Sequence, residues 1–206
     1  MPLTCQTLID RHSQLWHQAT HHPFLEQCKT GAIAQSQFNT WLVQDYLFVL
    51  EFTRMAARLV TLAPVADMDG LLGGLGALKD ELEWFQAKAA QRHLSLAAEP
   101  QPTCETYCIV MKQLAGAPYA IQAVAFWAIE LAYNQGWQLP GPMVEPYDEF
   151  ANRWGNPGFT AYVKLLEQQA DAALEALPES DWAKAEAIFV KVAELEIEFW
   201  QLAFNA

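Results

Sequence analysis

The sequence carries little charge, and little of that charge is positive. Only 17% of its 206 residues are charged, and 12 Lys and Arg stand against 24 Asp and Glu, so the formal net charge is −12. We therefore expect no basic surface of the kind that holds nucleic acid, and the negative field repels phosphate backbones and anionic lipids. Hydrophobic residues make up 52%, which excludes a disordered chain. The composition predicts a folded protein whose partners include neither nucleic acid nor membranes.

Cysteine is scarce as well. The four cysteines, Cys5, Cys28, Cys104 and Cys108, form no CxxC pair and no cluster with histidine, a pattern that predicts reduced thiols rather than disulfides or a zinc site. The first residues also lack the basic stretch and the apolar run of a secretion signal. Together these features predict a cytoplasmic protein.

Several catalytic motifs are missing. None of the five histidines follows a glutamate by three residues, which removes the Glu-x-x-His motif of ferritin-like di-iron sites. No GxSxG segment is present to carry a nucleophilic serine. The Gly-rich segment at residues 72–76 follows no predicted strand, so close helix packing explains it better than phosphate binding.

Helical periodicity is present nearly everywhere. Apolar residues recur every three to four positions, and runs with strict two-residue alternation are absent, which predicts an all-α protein in a single domain over residues 1–206. The predicted helices cover residues 4–22, a short segment ending at 31, then 36–62, 67–92, 103–114, 118–137, 146–152, 157–176 and 179–203. Long helices joined by short turns predict a bundle of seven to nine helices.

Three acidic residues stand alone on apolar helices. Glu130 is the only charged residue within 113–144, and Asp45 is the only one within 35–50. In the last helix Glu196 falls in an apolar stripe, whereas the other glutamates of that helix lie on a solvated side, because each residue turns the helix by about 100°. The pattern predicts that all three carboxylates point inward.

Such carboxylates have two explanations. Burying an ionised carboxylate is costly, so each acid is either a structural group with hydrogen-bond partners or a group kept for chemistry. The functional hypothesis is a pocket in which Asp45, Glu130 and Glu196 converge on a small polar ligand, with aromatic side chains as walls. A planar heterocycle with amino groups has the matching shape and hydrogen-bond donors.

Five separated segments resemble one protein family. They are QDYLF at 44–48, ELEWF at 81–85, FWAIE at 126–130, RWGNPGF at 153–159 and ELEIEFW at 194–200. In this order they resemble the TenA family of type II thiaminases, over nearly the whole chain. The predicted sixth helix has no cysteine, and in this the sequence is similar to the plant-like TenA_E branch, which lacks the catalytic cysteine. The resemblance implies a heme-oxygenase-like fold and a pocket for the pyrimidine half of thiamin.

The resemblance also implies roles for the three acids. Asp45 matches the aspartate expected to bond the pyrimidine amino group and ring nitrogen. Glu196 matches the C-terminal glutamate expected to act as general acid and base near the departing amine, a task that suits a carboxyl group on an apolar face. Glu130 becomes the second carboxylate, which either activates water or attacks directly; the sequence leaves both alternatives open.

Aromatic residues complete the predicted site. The resemblance implies substrate contacts for Phe48, Tyr107 and Trp154, and Phe48 offers ring stacking only, since cysteine-type relatives often have tyrosine there. For four others, core packing is an equal alternative to a place in the pocket: Trp41, Trp127, Tyr133 and Trp200. Glu83 and Trp84 are predicted to contact the residues that line the site, without touching the substrate.

The activity implied for this branch is salvage. It is hydrolysis of N-formyl-4-amino-5-aminomethyl-2-methylpyrimidine to the aminopyrimidine, and of the aminopyrimidine to 4-amino-5-hydroxymethyl-2-methylpyrimidine. Neither ligand spacing nor this chemistry requires a metal or organic cofactor. The alternatives are a non-catalytic pyrimidine-binding or structural oligomeric protein, and heme breakdown on the same fold. Helices that are apolar on more than one face predict a homo-oligomer, a dimer or tetramer.

Overall fold

A computed structural model describes residues 2–206, and these residues form helices and no strand. The α-helices are α1 (Cys5–Arg11), α2 (Ser13–Thr20), α3 (Pro23–Thr30), α4 (Gln35–Leu62), α5 (Val65–Gln91), α6 (Pro102–Gln113), α7 (Tyr119–Gln138), α8 (Asp148–Trp154), α9 (Pro157–Glu175) and α10 (Trp182–Phe204). Short 3-10 helices follow α6 and precede α10. The all-α prediction is confirmed.

Each predicted helical segment has a counterpart, and the first is divided in two. His12 leaves the helical conformation, with φ −117° and ψ 31°, and so separates α1 from α2. Its Nε2 lies 2.8 Å from a carboxylate oxygen of Glu186, and Arg11 Nη1 lies 3.0 Å from the other oxygen. This break coincides with a contact to a residue 174 positions away, which local periodicity cannot reveal.

Helix boundaries follow ordinary capping chemistry. The His22 ring accepts a hydrogen bond from the Phe24 N–H at 3.1 Å, Pro23 occupies the first turn of α3, and Gly31 ends that helix at φ 74°. The Asn156 side chain accepts from the Phe159 N–H at 3.0 Å and so starts α9. These caps fix the elements that flank α7.

The chain divides into two compact units. The first comprises the chain up to Ile33 and Pro118–Gln201, and the second comprises Ala34–Ala117 and Leu202–Ala206. The single domain over residues 1–206 stays a prediction.

The core of the first unit is α7, which is buried along nearly its whole length. Helices α2, α8 and α9 pack against it. Because nearly every residue of α7 is buried, its polar side chains need hydrogen-bond partners inside the protein. Within residues 2–206, no helix combines the length and the apolarity needed to cross a membrane.

The core of the second unit lies along α4, which packs against α5 and α6. The end of the chain also belongs to this unit, where the Gln37 side chain donates a hydrogen bond to the carbonyl of Phe204. The predicted site residues are therefore distributed over both units.

Candidate active site

Two of the predicted acids, Glu130 and Glu196, lie in the first unit. Their exposed fractions are 7% and 0%. On one side of them Trp127 of α7 contacts Phe189 of α10 at 5.9 Å between ring centroids, and on the other side Tyr133 contacts Trp200 at 5.6 Å. The order of these contacts shows that the two helices run in the same direction. Glu130 and Glu196 each lie between the two contacts, at a similar height.

Aromatic rings pack beside the two acids. Tyr133 contacts Trp154 edge to face at 5.8 Å, and Trp137 contacts both Trp154 at 5.5 Å and Trp200 at 6.1 Å. Trp200 is anchored by a hydrogen bond from its Nε1 to the Ala19 carbonyl at 3.1 Å. Of the predicted aromatic residues, the structure brings Tyr133, Trp154 and Trp200 together in one cluster. Trp127 instead stacks on Phe189, within the core.

Asn134 fixes this cluster and was not singled out from the sequence. Its Nδ2 donates to the Trp154 carbonyl at 2.7 Å and to Thr160 Oγ1 at 3.0 Å. One buried amide therefore ties α7 to the end of α8 and the start of α9. In the sequence, its only signal was a polar residue one turn after Glu130 in an otherwise apolar helix.

Tyr162 is a second residue that the sequence analysis missed. Its hydroxyl is buried on α9 and has no hydrogen-bond partner among residues 2–206. Burial, and then the negative charge of Glu130, raise the pKa of the Tyr162 hydroxyl far above its usual value. The hydroxyl therefore keeps its proton throughout the neutral range.

The third predicted acid, Asp45, lies in the second unit on α4 and is fully buried. One turn further along, Phe48 contacts Tyr107 of α6 at 4.8 Å and stacks on Phe52 at 5.6 Å. The structure thus brings Phe48 and Tyr107 together near Asp45. Trp41 packs further back on the same helix, against core phenylalanines.

Gln44 holds α4 against the start of α6. Its Oε1 accepts from the Gln101 N–H at 2.7 Å, its Nε2 donates to the Glu99 carbonyl at 3.3 Å, and its own carbonyl accepts from Cys104 Sγ at 3.4 Å. These three bonds fix the helix that carries Tyr107.

All four cysteines are buried, and no disulfide joins them. A hydrogen bond with Cys108, followed by burial, raises the pKa of Cys104, and the same bond lowers the pKa of Cys108. Burial also raises the pKa of Cys5. Helix α7 contains no cysteine.

The residues predicted to support the site take different positions. Glu83 is exposed on α5, where it pairs with Lys79 at 2.8 Å, and Trp84 is half-buried with its ring edge on Phe85 at 5.2 Å. The supporting role of Glu83 and Trp84 stays a prediction.

A fourth buried acid, Glu51, completes the set. Its carboxylate lies 3.2 Å from Arg54 Nη1 and 3.0 Å from Arg58 Nη2, and its side chain is 4% exposed. The two arginines neutralise this acid, which is therefore structural. In the part of the chain that the structure describes, no group of three or more His, Cys, Asp or Glu is arranged to hold a metal ion.

Comparison with known proteins places the chain in a family. Residues 9–206 match the TENA/THI-4/PQQC family. The chain belongs to this family. A protein from Glycine max described as "probable bifunctional TENA-E protein" is 33% identical, over 96% of this chain and 92% of its own length. An aminopyrimidine aminohydrolase from Halalkalibacterium halodurans is 26% identical, over 97% of this chain and 94% of its own.

The solved structures agree with this assignment. The crystal structure of a TenA homologue from Pyrococcus furiosus superposes with a TM-score of 0.92 at 28% identity, over 97% of this chain and 98% of its own. The predicted heme-oxygenase-like all-α fold is therefore confirmed.

Proposed function

We propose that this protein is a salvage hydrolase for the pyrimidine half of thiamin. It cleaves a C–N bond of 4-amino-5-aminomethyl-2-methylpyrimidine, or of its N-formyl derivative, on the path to 4-amino-5-hydroxymethyl-2-methylpyrimidine. The observation that carries the proposal is the pair of buried carboxylates, Glu130 and Glu196, at a similar height on two neighbouring helices. The names of the soybean and Halalkalibacterium relatives supply the substrate class.

A pair of carboxylates on two helices in contact suits hydrolysis of an amine. One must take a proton from water, and the other must give a proton to the departing nitrogen, which is a poor leaving group as an anion. We assign the second task to Glu196, on α10, and the first to Glu130, on α7. The aromatic cluster of Tyr133, Trp154 and Trp200 offers a dry, flat wall beside them.

For residues of the second unit, the roles stay predictions. Asp45 is proposed to bond the pyrimidine amino group and ring nitrogen. Phe48 and Tyr107 are proposed to stack on the ring. The roles of Trp41 and Trp127 in substrate binding also stay predictions, and core packing accounts for the contacts they make.

We further propose that the chain belongs to the TenA_E branch. Support comes from α7, which carries Glu130 and no cysteine, and from the description of the soybean relative. The protein as a whole is not free of cysteine, since it has four, but these lie on other helices and are buried. Without a thiolate on α7, cleavage of intact thiamin is expected to be slow or absent.

Three further properties stay predictions from the sequence. They are the cytoplasmic location, the assembly into a homo-oligomer and the absence of nucleic acid among the partners. No cofactor is assigned, because the proposed hydrolysis needs only water and two carboxyl groups.

A product assay tests the function. Purified protein is incubated separately with the N-formyl aminopyrimidine, the free aminopyrimidine and thiamin, and hydroxymethylpyrimidine, formate and ammonia are measured by chromatography. We expect turnover of at least one of the two pyrimidines and little cleavage of thiamin. Saturable binding of hydroxymethylpyrimidine without any turnover would instead show a non-catalytic binding protein, and a Soret band on addition of heme would favour heme breakdown.

A further inference from the structure

His17, in the last turn of α2, and His21, directly after that helix, lie one helical turn apart. Residues four positions apart share one face of a helix, and here the two imidazole rings stack with 4.0 Å between their centroids and 4° between their planes. Both side chains are exposed. The pair therefore presents imidazole nitrogen atoms to solvent, on neighbouring turns of one helix.

Two neighbours fix the proton of the neutral His21 ring on Nδ1. This nitrogen lies 3.2 Å from the His17 carbonyl oxygen and 3.0 Å from Thr20 Oγ1. The Thr20 hydroxyl donates its own proton to the Trp16 carbonyl at 3.0 Å, so both neighbours of Nδ1 present acceptors. Nδ1 is therefore the donor, and Nε2 keeps its lone pair. A histidine whose other nitrogen donates to a carbonyl is in the form that binds metal ions.

The ring of His17 can turn toward this lone pair. Within residues 2–206 the His17 ring makes no hydrogen bond, and χ2 of histidine is a broad torsion. Two nitrogen ligands of one tetrahedral ion, each at about 2.0 to 2.1 Å from it, lie about 3.3 Å apart. The two rings are already close to this separation, and a tilt of the His17 ring brings a nitrogen atom of each onto one ion.

The surroundings favour a cation and leave room for water. Residues 12–28 contain no lysine or arginine, and the formal net charge of the chain is −12. His17 also lines a surface depression of about 380 Å³, whose other lining residues are Ser13, Gln14 and Gln18. Water molecules in this depression can complete the coordination of an ion that has two protein nitrogen ligands.

We propose that His17 and His21 form a surface site for one divalent transition-metal ion. Imidazole suits Zn²⁺, Ni²⁺ and Cu²⁺, and Cu²⁺ binds most tightly of the three at a given site. The pair of His12 and Glu186 is less suited, because Arg11 lies 3.0 Å from the same carboxylate and repels a cation. The site is independent of the proposed hydrolysis, in which neither His17 nor His21 has a role.

Calorimetric titration of untagged, metal-free protein with Cu²⁺ tests the proposal. We expect one ion per chain, with an affinity at least about tenfold lower in H17Q and in H21Q, because each variant leaves a single imidazole. Both variants change exposed side chains, so the metal-free proteins should melt at the temperature of wild type. The matched control is H93N, which removes an exposed histidine at a backbone φ of 56°, where asparagine is well tolerated. Its affinity for Cu²⁺ should equal that of wild type.

A spectroscopic readout identifies the ligands. The EPR spectrum of the Cu²⁺ complex, recorded with less than one ion per chain, should show coupling to two imidazole nitrogens in wild type and to one in H17Q or H21Q. The proposal is overturned if wild type binds no Cu²⁺, if only one of the two variants weakens binding, or if H93N weakens it as much as they do. Neither readout depends on hydrolysis, so absence of turnover would overturn the proposed function alone.

Discussion

Two buried glutamates, Glu51 in the second unit and Glu130 in the first, lie in different sequence surroundings. Glu51 lies within 3.2 Å of two arginine side chains. Glu130 lies in a stretch, residues 113–144, that contains no other charged residue. Both side chains are almost fully covered. The surroundings, and not the degree of burial, separate the two acids.

This difference indicates where chemistry is expected. Two guanidinium groups occupy the acceptors of the Glu51 carboxylate, so this acid is part of an ion-pair network. Glu130 shares its face of α7 with Trp127 and Tyr133, and we propose that it serves acid–base chemistry. The same contrast holds for Glu196, whose helix neighbours facing the core are apolar or aromatic.

The largest effect is expected for the two proposed catalytic acids. E130Q and E196Q keep the shape of the side chain but remove the exchangeable proton, so kcat should fall about 100- to 10,000-fold. Binding of hydroxymethylpyrimidine, measured by calorimetry, should stay within a few-fold of wild type. E51Q serves as the control, because it should keep kcat per folded molecule. Equal losses of kcat in E51Q and E130Q would show that Glu130 has no catalytic role distinct from that of Glu51.

The next effect concerns stability, and here the change at Glu51 is expected to cost more than the change at Glu130. E51Q removes the buried carboxylate that pairs with Arg58, whose side chain is 31% exposed, so the free energy of unfolding should fall by about 1 to 2 kcal/mol. Urea denaturation measures it. R54Q should cost less than about 1 kcal/mol, since the Arg54 side chain is 63% exposed. If E130Q destabilised the protein more than E51Q did, Glu130 would be the structural acid.

A smaller effect is expected for Asp45, and it shows whether this acid binds substrate or is structural. The proposed bond from the pyrimidine amino group needs a carboxylate acceptor, and D45N weakens it, so kcat/KM should fall about 30-fold, mainly through KM. Steady-state kinetics with the aminopyrimidine measure this change, and circular dichroism checks the fold. Unchanged KM together with a loss of stability would make Asp45 a structural acid like Glu51.

The sequence could predict the helices and the inward-facing acids, because both depend on periodicity along the chain. Glu130 and Glu196 stand out as charges within apolar stripes, and the structure buries both. Contacts between distant residues left no such signal. The break at His12 coincides with a contact to Glu186, and Glu51, which the sequence analysis did not single out, pairs with Arg58 seven residues away.

Tyr162 could not be found from the sequence for a different reason. Tyrosine is suited to both core and surface, so its position in a helix does not reveal whether its hydroxyl finds a partner. The sequence likewise does not show which partners the Asn134 amide has. A buried polar group becomes informative only when its partners are known, and those come from α8 and α9 rather than from the helix that carries it.

His22 is a third kind of buried titratable group, one that stays neutral, and it gives the smallest effect. Its Nδ1 accepts the Phe24 N–H at 3.1 Å and so cannot also bind a proton, and burial lowers the pKa of His22 although a hydrogen bond with Gln201 opposes the shift. Because the unfolded chain takes up this proton first, stability is complete above pH 6.5 and declines as the pH falls toward the lower pKa of the folded state. We expect a loss of about 1 kcal/mol between pH 7.5 and 5.5.

H22N can cap α3 without titrating, so the pH dependence of its urea midpoint should be flatter than that of wild type. Parallel curves for the two proteins would show that His22 accepts a proton in the folded state as readily as in the unfolded chain.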